Sequence, residues 1–205
     1  MLDIAGWLTV NWIEAIGFAS GIASVWLFAR QHVLAWPVGL VTSFSWLILF
    51  AQSGLYADSA LQVFFIALGI YGWWHWVSGN RPSDIDLRVT STPPRLAVTL
   101  TVVAVTSTSA LAVFLSTATD STVPVADAAT TVLSLVASYL LAQKHIENWP
   151  VWILGVNVPY IALYFYKGLV LTALLQPLFI ALSIRGWLNW RRDLRAARGG
   201  PGEAR

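Results

Sequence analysis

The 205-residue chain has no cysteine, a single methionine and little charge, and the shortages exclude whole classes of protein. Without cysteine there is no disulfide framework, no thiolate nucleophile and no thiolate-bound metal. Charged residues make up 11% of the chain. A soluble domain carries roughly 25%, which it needs to cover a water-facing surface. No GxSxG, HExxH or phosphate-binding glycine loop occurs, and no acidic pair lies within one apolar segment, so an enzyme is not expected. The N-terminus carries Asp3, has no Lys or Arg ahead of its apolar stretch and shows no cleavage site, unlike a signal peptide. What remains is 57% hydrophobic and includes 12 tryptophans. The bilayer is its expected solvent.

A hydrocarbon core of about 30 Å takes roughly 17 to 25 apolar residues per helix. Seven segments qualify: 12–29, 36–52, 57–77, 96–116, 125–142, 149–166 and 169–190. Pro37, Pro124 and Pro150 fall at or near first turns, where a missing N–H costs little. Gly54 and Gly168 mark tight turns.

The chain also repeats itself. From Gly54 to Trp76 and from Gly168 to Trp190, 12 of 23 positions are identical without a gap. Upstream, Ala29-Arg-Gln-His-Val-Leu-Ala-Trp36-Pro37 lies over Ala142-Gln-Lys-His-Ile-Glu-Asn-Trp149-Pro150. The expected fold is therefore all-α in the membrane, two parallel three-helix repeats joined by a linking helix. Residues 1–77 form the first repeat, 78–95 a cytoplasmic loop, 96–116 the linking helix, 125–190 the second repeat and 191–205 a disordered basic tail. Related apolar halves that can enclose a midplane site are a mark of transporters.

Charge gives the orientation. Arg30, Arg81, Arg88, Arg95 and Lys144 fall in alternate connections, and Arg191, Arg192, Arg195, Arg198 and Arg205 in the tail. The other side holds Lys167 beside Asp3, Asp58, Asp120 and Asp127. The positive-inside rule puts the N-terminus outside and the C-terminus in the cytoplasm.

Polar groups within apolar helices are costly and often functional. Gln62 and Gln176 are repeat equivalents with two readings, interhelical hydrogen bonding or a pair of amides facing a ligand from both halves. Trp149, Trp152, Asn157, Tyr160 and Tyr164 form the densest aromatic–polar cluster on one expected helix. Flat rings with an amide among them suit a planar heterocycle, the rings by stacking and the amide by reading its edge. Trp46 is a further candidate. Trp36 and Trp149, at helix starts, fit the interfacial belt, as do Trp73, Trp74, Trp76, Trp187 and Trp190 at helix ends. His32 and His145 read as surface polar residues without enough ligands for a metal. Glu14 is the one intramembrane acid, which fits uniport rather than proton coupling.

The stretch from Asn148-Trp-Pro-Val-Trp152 to Asn157, then Leu163-Tyr-Phe-Tyr-Lys-Gly168 and Gly186-Trp-Leu-Asn-Trp190, resembles the PnuC family of bacterial vitamin transporters. The resemblance runs over nearly the whole chain. It implies facilitated uptake of a B vitamin without ATP or a coupling ion, with trapping by phosphorylation inside the cell. It implies no cofactor, no metal and no nucleic acid. The partners are the vitamin and the bilayer, and homo-oligomerisation stays open. Members that carry nicotinamide riboside are expected to show Trp-x-x-Trp-x-x-x-Asn in the sixth helix. Here the amide comes one residue late, at Asn157 with Val156 in the expected place. Trp36 and Trp149 are 113 residues apart but Gly54 and Gly168 are 114, so one residue is extra. In an α-helix that turns a side chain by about 100°, off the ligand face. A larger ring, riboflavin, is then the expected substrate, with nicotinamide riboside as the alternative and thiamine behind. Ten arginines to two lysines hints at a GC-rich genome, where riboflavin members are expected. The expected site is Trp152, Asn157, Tyr160, Gln62, Gln176 and Trp46. A membrane scaffold or sensor working through the basic tail is the rival class.

Overall fold

Proline opens two of the seven described helices. In the computed structural model, which describes residues 12–52, 56–78, 87–119, 121–166 and 170–198, α1 is Trp12–Ala29, α2 Ala35–Gln52 and α3 Tyr56–Ser78. Next come α4, Pro94–Ala118, and α5, Pro124–Ala142, both with proline as their first residue. Helix α6 covers 148–166 in three pieces, and α7 is Val170–Arg198. Proline at a helix start gives up only an N–H that the first turn leaves unpaired anyway. The expected turns at Gly54 and Gly168 lie outside the described residues, as do Asp3, Arg81, Asp120, Lys167 and Arg205.

Five of these helices, α1 to α5, are long and apolar enough to cross a membrane. Helix α4 buries no residue. Its hydroxyls fold back on the helix: Thr101, Thr106 and Ser109 each donate to the carbonyl four residues earlier. That satisfies them without a neighbour, as a lipid-facing surface demands.

The chain divides into two compact units, Met1–Asp86 and Leu87–Arg205. In the first, α2 packs against α1 and α3; in the second, α4 packs against α5, and α5 and α7 against α6. The linking helix thus belongs to the second unit by its packing.

The duplication is visible in local geometry. Gln31 and Lys144, equivalent in the repeat, both take left-handed backbone, with φ of 54° and 53°. His32 N–H bonds to Leu27 O at 3.0 Å, and His145 N–H to Leu140 O at 2.9 Å. After each turn a tryptophan lies across a glycine of the third helix. The Trp36 ring covers Gly72 and stands edge-on to Trp76 at 5.5 Å. Trp149 covers Gly186 and meets Trp190 at the same 5.5 Å.

These rings overturn part of the belt expectation. Trp36, Trp76, Trp149 and Trp190 are buried, Trp149 at 2% and Trp190 at 0% exposure, and form the locks of the two units. A helix end places a residue near the interface but does not say which way it points. Trp73 and Trp74 do lie outward, Trp74 at 64%. The basic run after Trp190, expected to be disordered, is helical to Arg198. Arginine, alanine and leucine are strong helix formers, and a helix already running needs no new nucleus.

Candidate substrate site on the sixth helix

Helix α6 is not a plain α-helix. It starts with one α turn, Asn148–Pro150, continues as a π segment, Val151–Asn157, and returns to α over Val158–Tyr166. Val158 N–H bonds to Ile153 O, five residues back. Pro159 fits this widening. It has no N–H for the Gly155 carbonyl, and in an α-helix its ring would press on that carbonyl. Buried membrane helices relieve this by local π adjustment. Gly155 allows it and also lets α6 approach α5, because a Cβ there would sit 3.0 Å from Leu133.

The π segment absorbs the extra residue. Its bonds run from i to i+5, so a residue five positions on takes the place that i+4 holds in an α-helix. Trp152 and Asn157 are such a pair. The expectation that the added residue turns Asn157 away from the Trp152 face is therefore corrected: it assumed an undistorted α-helix, and the helix widens instead. The spacing of indole and amide survives in altered form.

Asn157 is 7% exposed and Gln176, on α7, 6%. Neither side chain makes a hydrogen bond among the described residues, so Gln176 shows no interhelical bond there. Helix α7 packs on both the π segment and the α segment after it. Trp152 and Tyr160 are half-buried, and Tyr160 stacks on Tyr164 at 4.8 Å. Helix α6 has no charged side chain at all. Rings that offer faces and amides that offer both donor and acceptor suit an uncharged, flat, hydrogen-bonding solute.

In the first unit Gln62 is half-buried on α3. Trp46 is held by its neighbours, edge-on to Phe18 at 5.0 Å and stacked on Phe50 at 5.5 Å. Gly17 leaves room for it, since a Cβ there would lie 3.4 Å from the indole. Packing between α1 and α2 accounts for Trp46 without a ligand.

Sequence reasoning missed the polar cluster at the start of α6. His145, taken for a surface residue, is half-buried with its Nδ1 3.0 Å from Thr90 Oγ1. Burial lowers its pKa below the usual 6.5, and the Glu147 carboxylate pulls the other way. The folded chain thus prefers neutral His145. As pH falls through 6.5 the unfolded chain takes up its proton first, and this contribution to stability is lost until the lower folded value is passed. Thermal denaturation compared between about pH 7.5 and about pH 5.5 should show a larger loss in the parent than in His145→Gln. Equal losses would contradict this.

Five helices long and apolar enough to cross a membrane fit a multi-pass membrane protein, and the uncharged aromatic–amide face of α6 is its candidate site. The comparisons with known proteins agree. A family model described as nicotinamide mononucleotide transporter matches residues 11–192, and the chain belongs to that family. It is 26% identical over 216 residues to the nicotinamide riboside transporter PnuC of Escherichia coli (strain K12), covering 92% of this chain and 90% of that one. It is 27% identical over 195 residues to the riboflavin/roseoflavin transporter RibM of Streptomyces davaonensis, covering 91% and 89%. The crystal structure of the vitamin B3 transporter PnuC aligns with a TM-score of 0.70 at 20% identity, over 90% of this chain and 83% of that one. That likeness is one of fold.

Proposed function

We propose that the chain carries nicotinamide riboside into the cell by facilitated diffusion, with the flat ring against Trp152 and Tyr160 and its amide read by Asn157 and Gln176. The observation behind this is the π segment. With Trp152 and Asn157 five residues apart inside it, the case for a larger ring loses its premise, and the constellation expected of riboside carriers is kept. A relative named as a nicotinamide riboside transporter, matched over 92% of this chain, supports the same reading. Riboflavin is the second reading, favoured by the equally extensive match to RibM.

The wider scheme is the family's. Two parallel three-helix repeats joined by α4, the N-terminus outside and the C-terminus in the cytoplasm, would let the halves alternate around the solute. The equivalent turns and tryptophan–glycine locks support the repeat, and the arginines near the end of α7 support the orientation. No energy source is needed if a kinase consumes the vitamin inside.

Uptake of labelled nicotinamide riboside and riboflavin by a bacterium lacking its own carriers tests the assignment. Riboside uptake alone supports it, and riboflavin uptake alone replaces it with the second reading. A deletion tests the π segment directly. Leu154 points outward, and removing it restores the Trp-x-x-x-Asn spacing. Uptake by the deletion variant should stay within about threefold of the parent, a loss under ~1 kcal/mol. A change of substrate would show that the π segment displaces the amide after all.

A further inference from the structure

The turn from α5 into α6 carries a carboxylate, Glu147, where its twin has leucine. In the first unit, His32 Nδ1 accepts the Leu34 N–H at 3.2 Å. In the second unit residues 87–93 lie against the turn. Thr90 N–H donates to Lys144 O at 3.1 Å, and Ile146 N–H donates to Thr90 O at 2.9 Å. Val89 is buried beside them in sequence. Glu147 completes the clasp. Its Oε2 accepts both the Thr92 N–H, at 2.8 Å, and the Thr92 hydroxyl, at 2.7 Å.

The direction of that carboxylate is informative. Glu147 occupies the N-cap of α6, where an acidic side chain ordinarily bonds to the helix's own first amides, yet it makes no capping bond. It reaches sideways to Thr92, just before α4 begins at Pro94. Its repeat equivalent is Leu34, which is 53% exposed. Next to Glu147, Asn148 is fully buried and donates from Nδ2 to His145 O at 2.6 Å.

We propose that Glu147 is a positioning residue for the α6 site: by holding Thr92 it sets the rotation with which α6 starts, and Trp152 and Asn157 inherit that rotation. The inference rests on the reading of α6 as the solute-binding helix. It follows from the π segment, whose poorer hydrogen-bond geometry makes it less able to hold its own orientation than an α-helix. Charge-assisted bonds at the helix start supply what the middle lacks. The same clasp couples the starts of α4 and α6, so the linking helix and the site helix move as one piece.

The test uses the full chain in lipid nanodiscs, with affinity for nicotinamide riboside and riboflavin read by tryptophan fluorescence and hydrogen exchange read over residues 148–157. Glu147→Ala should weaken binding about tenfold while the denaturation midpoint stays near the parent's. Glu147→Gln keeps an acceptor oxygen and should bind within about threefold. Thr92→Val should lose less than Glu147→Ala, and the double variant no more than Glu147→Ala alone. Amides 148–157 should exchange faster in Glu147→Ala than in Glu147→Gln. Parent-like binding in Glu147→Ala, or losses that add in the double variant, overturns the proposal. If the parent binds neither vitamin, the functional reading fails and exchange decides alone: faster exchange in Glu147→Ala retains the positioning role, and unchanged exchange overturns it.

Discussion

Trp152→Ala is expected to cut uptake by about one to two orders of magnitude at unchanged expression. Stacking of a heterocycle on one aromatic ring is worth ~1–3 kcal/mol by alanine substitution, or roughly five- to 150-fold. Trp152 is half-buried on the π segment, and no ring contact of its own inside the protein competes for it among the described residues. Trp46 makes the control. It stacks on Phe50 and meets Phe18, so Trp46→Phe should alter stability more than affinity. Asn157→Leu keeps the volume and removes the amide. It should cost about tenfold, because a solute amide buried against leucine is left unpaired. Transport assays with folded protein quantified in each sample check all three. A silent Trp152→Ala would move the site off α6 and revive the scaffold reading, in which removal of the basic run 191–205 is what abolishes function.

The second large effect is structural. Gly186→Ala should lower the denaturation midpoint by several degrees, and Gly186→Leu should leave little folded protein. A Cβ at Gly186 would stand 2.5 Å from two carbons of the Trp149 ring. That ring cannot swing aside, since Trp149 is 2% exposed and pinned edge-on by Trp190. Overpacking of this kind costs about 1–3 kcal/mol or more, from a total stability of only ~5–15 kcal/mol. Gly72→Ala should behave alike, because the Trp36 ring covers that glycine through the same ring carbons. Gly39→Ala should not. Its nearest neighbour, Ser24 Cβ, would be 3.8 Å away, so the gain in helix propensity of up to ~1 kcal/mol is free to appear. Thermal melts of the three alanine variants in detergent check the contrast. Equal melts would mean that the tryptophan–glycine locks do not hold the units together.

How much of this was legible in the sequence differs from element to element. Helix positions were, because apolar length and proline punctuation act locally; α1 was expected at 12–29 and found there. The sequence match of the two halves was legible too, while the left-handed turns at its equivalent positions Gln31 and Lys144 were not read from it. The π segment left one trace, the change of repeat spacing from 113 to 114 residues. An insertion alone does not say whether a helix rotates or widens, and Pro159 beside Gly155 was the unread clue. The buried tryptophans were misplaced because position along a helix gives depth, while the side a ring faces depends on the neighbouring helix. Glycines 72 and 186, each one turn before a buried tryptophan, mark that side. The clasp joins residues 55 apart in the chain, and its only local sign is Glu147-Asn148 where the first repeat has Leu34-Ala35. Among the expected site residues, Trp152, Asn157, Tyr160 and Gln176 fall on two packed helices of one unit, and Trp46 has a packing role of its own.

The most direct measurement is flux through the purified protein in sealed vesicles, with no nucleotide and no ion gradient, using labelled nicotinamide riboside. The label should equilibrate down its own gradient and exchange with unlabelled riboside, and do both about one to two orders of magnitude more slowly with Trp152→Ala. Flux that appears only with an ion gradient or ATP, or the absence of riboside flux from vesicles that pass riboflavin, would contradict it.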